Sequence, residues 1–183
     1  MSKRLYSIGH SNRTLDEFLK LLQIYEISHL VDVRTVPKSR HVPWFNKNEL
    51  ASSLRKVGIQ YTHMLNLGGL RPGSKNSINT GWHNASFRGY ADYMQTKEFF
   101  AALKELNALI ANSKTPAIMC AEAVPWRCHR SLIADAEIIR HIPVYHIMNE
   151  NTANKHKLTS FAVVNRNHRP IQIYYPPENP EAK

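Results

Sequence analysis

The chain has 183 residues, 43% of them hydrophobic, which suffices for one domain with a real core and excludes a disordered polypeptide. Lysine and arginine number 24 against 14 acidic residues, and the resulting formal charge of +10 favours anionic partners: nucleotides, nucleic acid or other phosphates. No apolar run approaches a membrane span, Met1 to Arg4 leads into a strand without a signal-peptide core, and two cysteines are too few for a disulfide scaffold. A cytoplasmic location with reduced thiols and no membrane association is therefore expected.

Leu5 to Ile8 reads as the first strand. Thr14 and Glu17 form a capping box ahead of Leu15, Phe18, Leu19 and Leu22 at helical spacing. Leu30 to Val33 is a second strand. Asn46 to Glu49 repeats the capping pattern before Leu50, Leu54 and Val57, and Gly58 can end that helix in the left-handed conformation. Ile59 to His63 is a third strand. Thr96 opens a helix through Phe99, Leu103, Leu106 and Ile110. Ala117 to Cys120 is a fourth strand, Ser131 to Arg140 another helix, and Val144 to Ile147 a fifth strand. Beyond residue 151 the pattern weakens, although 161–164 and 171–174 suit a terminal β pair. Residues 176–183 read as a flexible tail.

Strands alternating with helices across short joints imply parallel pairing with helices on both faces. The expected fold is a three-layer single α/β domain over residues 1–175, with a mostly parallel sheet and a small C-terminal β extension. Two stretches, Arg34 to Phe45 and Asn66 to Arg88, read as long loops, and loops of that length are commonly functional. Both follow parallel strands, so both should emerge on the side where ligands bind in open α/β sheets.

The densest chemistry lies in the third such loop. Cys120 ends a buried strand. Glu122, Arg127, Cys128, His129 and Arg130 then precede a helix. A helix start and flanking cations lower a thiol pKa, so Cys128 suits a nucleophile, whereas two small buried thiols would serve packing alone. Glu122 is the candidate acid or base. The spacing does not fit an anion-cradling cysteine phosphatase loop, which needs five residues between cysteine and arginine where Cys120 and Arg127 have six between them. It matches no standard zinc site either, so no metal and no cofactor are expected. An analogy to rhodanese-like sulfur transfer survives only in the Val31 to Arg34 run and a cysteine after a later strand.

Other candidates lie earlier in the chain. Gly9, His10, Ser11, Asn12 and Arg13 follow the first strand, where free helix amides can meet an anion or simply cap a turn. Asp32 sits inside an apolar strand and must be paired; it orients a catalytic partner such as Arg34, or forms a structural ion pair with it. Arg34, Lys38, Arg40 and His41 share a loop with Trp44 and Phe45, a mixture suited to a phosphate- or base-bearing ligand.

Together these segments resemble the DUF488 family, whose function is not settled. The matching pieces are Ile8 to Arg13, Val31 to Arg34 with Pro37 and Arg40, Phe45 and Asn46, Leu67 to Gly69, Phe87 to Met94, Cys120 to Glu122, and Cys128 to Arg130. The resemblance implies a compact α/β fold. It also implies that His10, Asn12, Asp32, Arg34, Arg40, Glu122, Cys128, His129 and Arg130 fall on family motifs. The reading drawn from the residues is an enzyme acting on a phosphate-bearing ligand, a nucleotide or nucleic acid. Glu122, His129, Cys128 and Asp32 would be catalytic, with His10, Asn12, Arg34, Arg40, Arg127 and Arg130 binding the ligand. A non-catalytic nucleic-acid-binding module is the alternative, and a thiol-dependent sulfur-transfer or redox protein the third.

Overall fold

The computed structural model describes residues 3–177. Most of the tail expected to be flexible, 178–183, lies outside the described residues. In chain order the elements are β1 (Leu5–Gly9), α1 (Leu15–Ile24), β2 (His29–Asp32), α2 (Lys47–Lys56), β3 (Gln60–His63), α3 (Ala85–Tyr93), α4 (Lys97–Asn112), β4 (Pro116–Cys120), α5 (Arg130–Ile138), β5 (Val144–Asn149), β6 (Thr152–Lys155), β7 (Val163–Asn165) and β8 (Gln172–Tyr174). Three short 3-10 turns, Pro43–Phe45, Leu65–Leu67 and Pro125–Arg127, shape the loops.

Six strands form one sheet in the order β3-β2-β4-β1-β5-β6, parallel except for the antiparallel edge strand β6. A separate antiparallel pair, β7 with β8, is the C-terminal β extension. The chain is thus the mixed α/β protein its pattern implies.

Side-chain parity splits the core. Ala117 and Met119 face one way and pack with Phe18, Leu22, Leu50 and Leu54 of α1 and α2. Ile118 and Cys120 face the other way and pack with Leu103, Leu106, Leu132 and Ile133 of α4 and α5. Residues two apart on a strand share a face, so Cys120 at the end of β4 necessarily points toward α5. Ser7 and His146 are register partners in neighbouring strands, and both lie on that α5 face.

Local signals account for most boundaries. Thr14 and Glu17 close a reciprocal capping box, and Thr96 caps α4 through the Phe99 amide. Gly58 adopts φ of 76° at the end of α2. Two expectations need correction. Asn46 does not cap α2, because its Oδ1 accepts from the Ser39 amide at 2.7 Å and thereby fastens the loop before the helix. The stretch after Asn66 is not loop through Arg88, because α3 begins at Ala85, capped by Asn84. The antiparallel strand β6 carried no expectation. No described helix is long and apolar enough to cross a membrane.

Candidate functional site

The ends of β2 and β4 open on a cavity of about 340 Å³, with the loop after β3 across from them. Arg34 and Val36 from the loop after β2, Leu70 from the loop after β3, Phe87 from α3, and Glu122, Arg127, Cys128 and His129 from the loop after β4 all contribute to it. Two glycines bring these loops together. A Cβ on Gly9 would collide with the Glu122 carbonyl, and one on Gly69 would stand 2.5 Å from His129 Nδ1. Backbone therefore passes where no side chain fits.

One wall is an ion-pair cluster. Asp32 is fully buried, and its carboxylate accepts from Arg34 Nε at 2.9 Å, Arg34 Nη2 at 2.6 Å and the Tyr61 hydroxyl at 2.7 Å. Arg34 also donates to the Phe45 carbonyl at 2.8 Å. His10 stacks on Phe45 with ring centroids 4.3 Å apart. Burial, the largest influence, lowers its pKa to about 4, so the ring is neutral. Its Nδ1 donates to the Ser11 carbonyl at 2.7 Å, and its Nε2 accepts from Arg34 Nη1 at 3.3 Å. The Arg34 charge is answered by Asp32 before any ligand arrives.

The other wall holds the thiols. Cys120 and Cys128 are 3% and 6% exposed, and their sulfurs lie 2.8 Å apart. Arg130, 1% exposed, donates through Nε to Cys120 Sγ at 2.9 Å, through Nη1 to Ser7 Oγ at 2.7 Å and through Nη2 to the Glu122 carbonyl at 2.6 Å. Among the described residues no carboxylate lies within ion-pair distance of this guanidinium. A buried cation requires a counter-charge, and the thiol pair is the anion at hand.

The titration of the pair follows from that arrangement. Burial pushes the Cys128 thiol up, but the hydrogen bond with Cys120 and the charge and backbone amide of Arg130 outweigh it and bring Cys128 down to about 6. Burial, reinforced by the hydrogen bond with Cys128, raises Cys120 well above the ordinary thiol value. The two sulfurs thus act as a unit that holds one proton and one negative charge near neutral pH. The Cys128 sulfur also faces the start of α5, where the Arg130 amide approaches it at 3.5 Å.

His129 completes the floor. Burial lowers its pKa below the ordinary histidine value. In the neutral ring, Nε2 donates to the Val33 carbonyl at 3.0 Å, which leaves an acceptor at Nδ1, 3.5 Å from Cys128 Sγ. Tyr90 packs beside the ring, with centroids 5.1 Å apart.

Of the candidates named from sequence, Arg34, Glu122, Arg127, Cys128 and His129 line the cavity, while Asp32, His10 and Arg130 stand behind it as partners of lining groups. Asn12 and Arg40 are exposed, and neither lines the cavity. Glu122 is also exposed, with Oε1 accepting from the Val124 amide at 3.4 Å. Trp44 is taken up by a hydrogen bond to the Arg13 carbonyl at 3.0 Å. Sequence reasoning passed over Tyr61 and Ser7 and left Cys120 outside the candidate set. A serine within the apolar run of β1 was the available signal for Ser7. Among the described residues no group of three or more His, Cys, Asp or Glu side chains is arranged to hold a metal ion.

The family described as a domain of unknown function, DUF488, matches residues 14–137. No curated protein and no solved structure matches the chain.

Proposed function

The chain belongs to the DUF488 family, and we propose that this member is a thiol-dependent oxidoreductase in which Cys128 attacks a small organic hydroperoxide and Cys120 resolves the product. One observation carries the reading: two sulfurs 2.8 Å apart are held against a buried guanidinium with no carboxylate partner among the described residues. A packing role for the thiols alone would leave the Arg130 charge unanswered.

In the proposed cycle the Cys128 thiolate attacks the terminal peroxide oxygen. An S–O bond forms, the O–O bond breaks, and the alkoxide leaves and takes a proton from solvent. Cys128 is now a neutral sulfenic acid, so Arg130 has lost its counter-charge. Its Nε stands 2.9 Å from Cys120 Sγ and now favours ionisation of that thiol. The Cys120 thiolate attacks Cys128 Sγ, the S–S bond forms, and the departing hydroxide takes a proton to become water. Two equivalents of an external small thiol return the disulfide to the dithiol. Arg130 stabilises the reduced, anionic pair, which makes the disulfide easy to reduce and the resting state a dithiol. Hydroperoxide, a strong two-electron oxidant, suits a pair of that poise. The apolar side chains of Val36, Leu70 and Phe87 in the cavity suit an organic substituent.

The test uses cumene hydroperoxide with dithiothreitol as the thiol. The wild-type chain should consume peroxide catalytically. Cys128→Ser should abolish turnover, and Cys120→Ser treated with one equivalent of peroxide in the absence of dithiothreitol should stop at a sulfenic acid that dimedone traps. Failure of stoichiometric peroxide to oxidise Cys128, or turnover that survives Cys128→Ser, would refute the proposal.

A second reading, an enzyme acting on a phosphate-bearing ligand in the same cavity, draws support from Arg127. That side chain is exposed at the cavity and has no acidic partner among the described residues. Arg34 and Arg130, by contrast, already spend their hydrogen bonds within the chain. A phosphate ester that protects Cys128 from alkylation in wild type but not in Arg127→Ala would favour this reading over the first.

A further inference from the structure

A second cavity, of about 400 Å³, lies on the other side of the Pro125–Arg127 turn. Trp126 faces this second cavity, while its neighbour Arg127 lines the first. Beneath the second cavity runs a chain of buried polar groups that no side-chain hydrogen bond among the described residues connects to the thiols. Asp135, fully buried in α5, accepts from His156 Nε2 at 2.8 Å, from the Thr159 amide and hydroxyl at 3.0 and 2.7 Å, and from the Tyr175 hydroxyl at 2.9 Å. His156 Nδ1 in turn lies 2.9 Å from His146 Nε2. The Asp135 carboxylate fixes which His156 nitrogen carries the proton. In neutral imidazoles the order of bonds leaves His146 Nε2 as donor and His146 Nδ1 with a lone pair.

That lone pair has no partner. His146 is 5% exposed, and its Nδ1 is buried without a hydrogen bond. The indole N–H of Trp82, which also lines this cavity, is buried and equally unanswered. One buried acceptor and one buried donor, each costing free energy, thus sit on residues of a single cavity. The edge of a nucleobase supplies the complementary donor and acceptor.

The rim agrees with that chemistry. Trp126 is 63% exposed, unusual for an indole that has a cavity beside it, and it offers a free face for stacking. Lys155 and Lys157 are exposed on the same rim, and neither has an acidic partner among the described residues. Aromatic face, paired lysines and a donor–acceptor floor together describe a planar heterocycle that carries an anionic tail.

We infer that this second cavity is a nucleoside-phosphate site, with the base stacked on Trp126 and turned toward Trp82 and His146, and the phosphate on Lys155 and Lys157. The site makes no use of the thiols, although the Arg130 charge reaches His146 from the neighbouring strand's side.

Isothermal titration of the reduced full chain with adenosine 5′-monophosphate tests it, with adenosine and ribose 5-phosphate as the partial ligands. The nucleotide should bind saturably and more tightly than either fragment. Trp126→Ala should weaken the nucleotide and adenosine by about tenfold, the usual scale for loss of one stacked base. The double change Lys155→Ala and Lys157→Ala should weaken the nucleotide and leave adenosine unchanged. Cys128→Ser should bind like wild type, which separates this site from the proposed oxidoreductase. Absence of saturable binding, ribose 5-phosphate binding as tightly as the nucleotide, or unchanged affinity in Trp126→Ala would overturn the inference.

Discussion

Replacing Arg130 by methionine removes the buried charge that faces both sulfurs while keeping much of the side-chain volume. With the guanidinium gone, burial acts unopposed by it, and the pKa of Cys128 should rise from about 6 to the ordinary thiol value of 9 or beyond. At pH 7 the thiolate fraction would then fall from about nine-tenths to about one-hundredth, roughly a 90-fold loss. A more basic thiolate is intrinsically more nucleophilic, with a Brønsted slope of about 0.4–0.5, so three pKa units return roughly 20-fold. The alkylation rate at pH 7 should therefore drop only about fivefold. The decisive observable is the midpoint of the pH–rate profile, which should move from near 6 to 9 or higher. Iodoacetamide alkylation followed by mass spectrometry reads the rate at Cys128, and ultraviolet thiolate absorbance reads ionisation independently. Arg130→Lys retains a charge and should place the midpoint between the two. A midpoint that stays near 6 in a folded Arg130→Met protein would show that the guanidinium is not what ionises the pair.

The pH dependence of stability offers a second check. Glu137 is fully buried, neither carboxylate oxygen has a hydrogen-bond partner, and burial raises its pKa from 4.5 to about 8 despite Arg140 nearby. Between those values the native state keeps a proton that the unfolded chain has lost, so this group makes stability fall as pH rises from about 4.5 to 8. Glu137→Gln should abolish that slope and gain a few kcal/mol at pH 9, with little change at pH 4, as read from urea midpoints. Cys128 acts with the opposite sign: its pKa is lowered from 9.0 to about 6, so its contribution grows from pH 6 to 9, and replacing both thiols by serine, so that Cys120 cannot take up the charge, should remove that increment. Asp32→Asn leaves Arg34 buried without its counter-charge and should cost about 3–5 kcal/mol in chemical denaturation; a cost below 1 kcal/mol would mean the pair is not desolvated. Gly69→Ala places a Cβ 2.5 Å from His129 Nδ1 and forces the ring away, so it should slow Cys128 alkylation while leaving the thiolate midpoint near 6.

The fold was legible because its signals are local. Thr14 with Glu17, Thr96 ahead of Phe99, and Gly58 at a left-handed turn each act within a few residues. Helix α3 was hidden for the same kind of reason. Phe87, Tyr90, Ala91 and Met94 have helical spacing, but Gly89 lies among them and glycine weakens a helix. Asn46 misled because an asparagine before a helix is a cap only if its side chain has no better partner, and Ser39 supplies one. Sequence could assemble the cavity's composition, since three loops follow three parallel strands and must emerge on one side. It could not distribute the cations. That depends on which arginine meets a carboxylate, and Asp32 and Arg34 are joined across two residues while Arg130 and Ser7 are joined across 123.

The contrast between those two arginines explains why the proposed chemistry is assigned to one wall of the cavity and not to the other. Arg34 is held by a carboxylate through two hydrogen bonds, so its charge is answered within the chain and its geometry is fixed. Arg130 is balanced only by sulfur, and sulfur can lose its charge by taking a proton, forming an adduct or joining its neighbour. Every such event leaves a buried guanidinium uncompensated and raises the free energy of the site, so the anionic dithiol is the state to which the protein returns. If Arg130 were there to fasten α5 to the sheet, its bonds to Ser7 and the Glu122 carbonyl would suffice, and a thiol at its Nε with a second at its amide would add only a desolvation cost. The position of Cys120, turned by strand parity toward the same guanidinium as Cys128, makes the pair rather than either cysteine the unit on which the proposed chemistry rests.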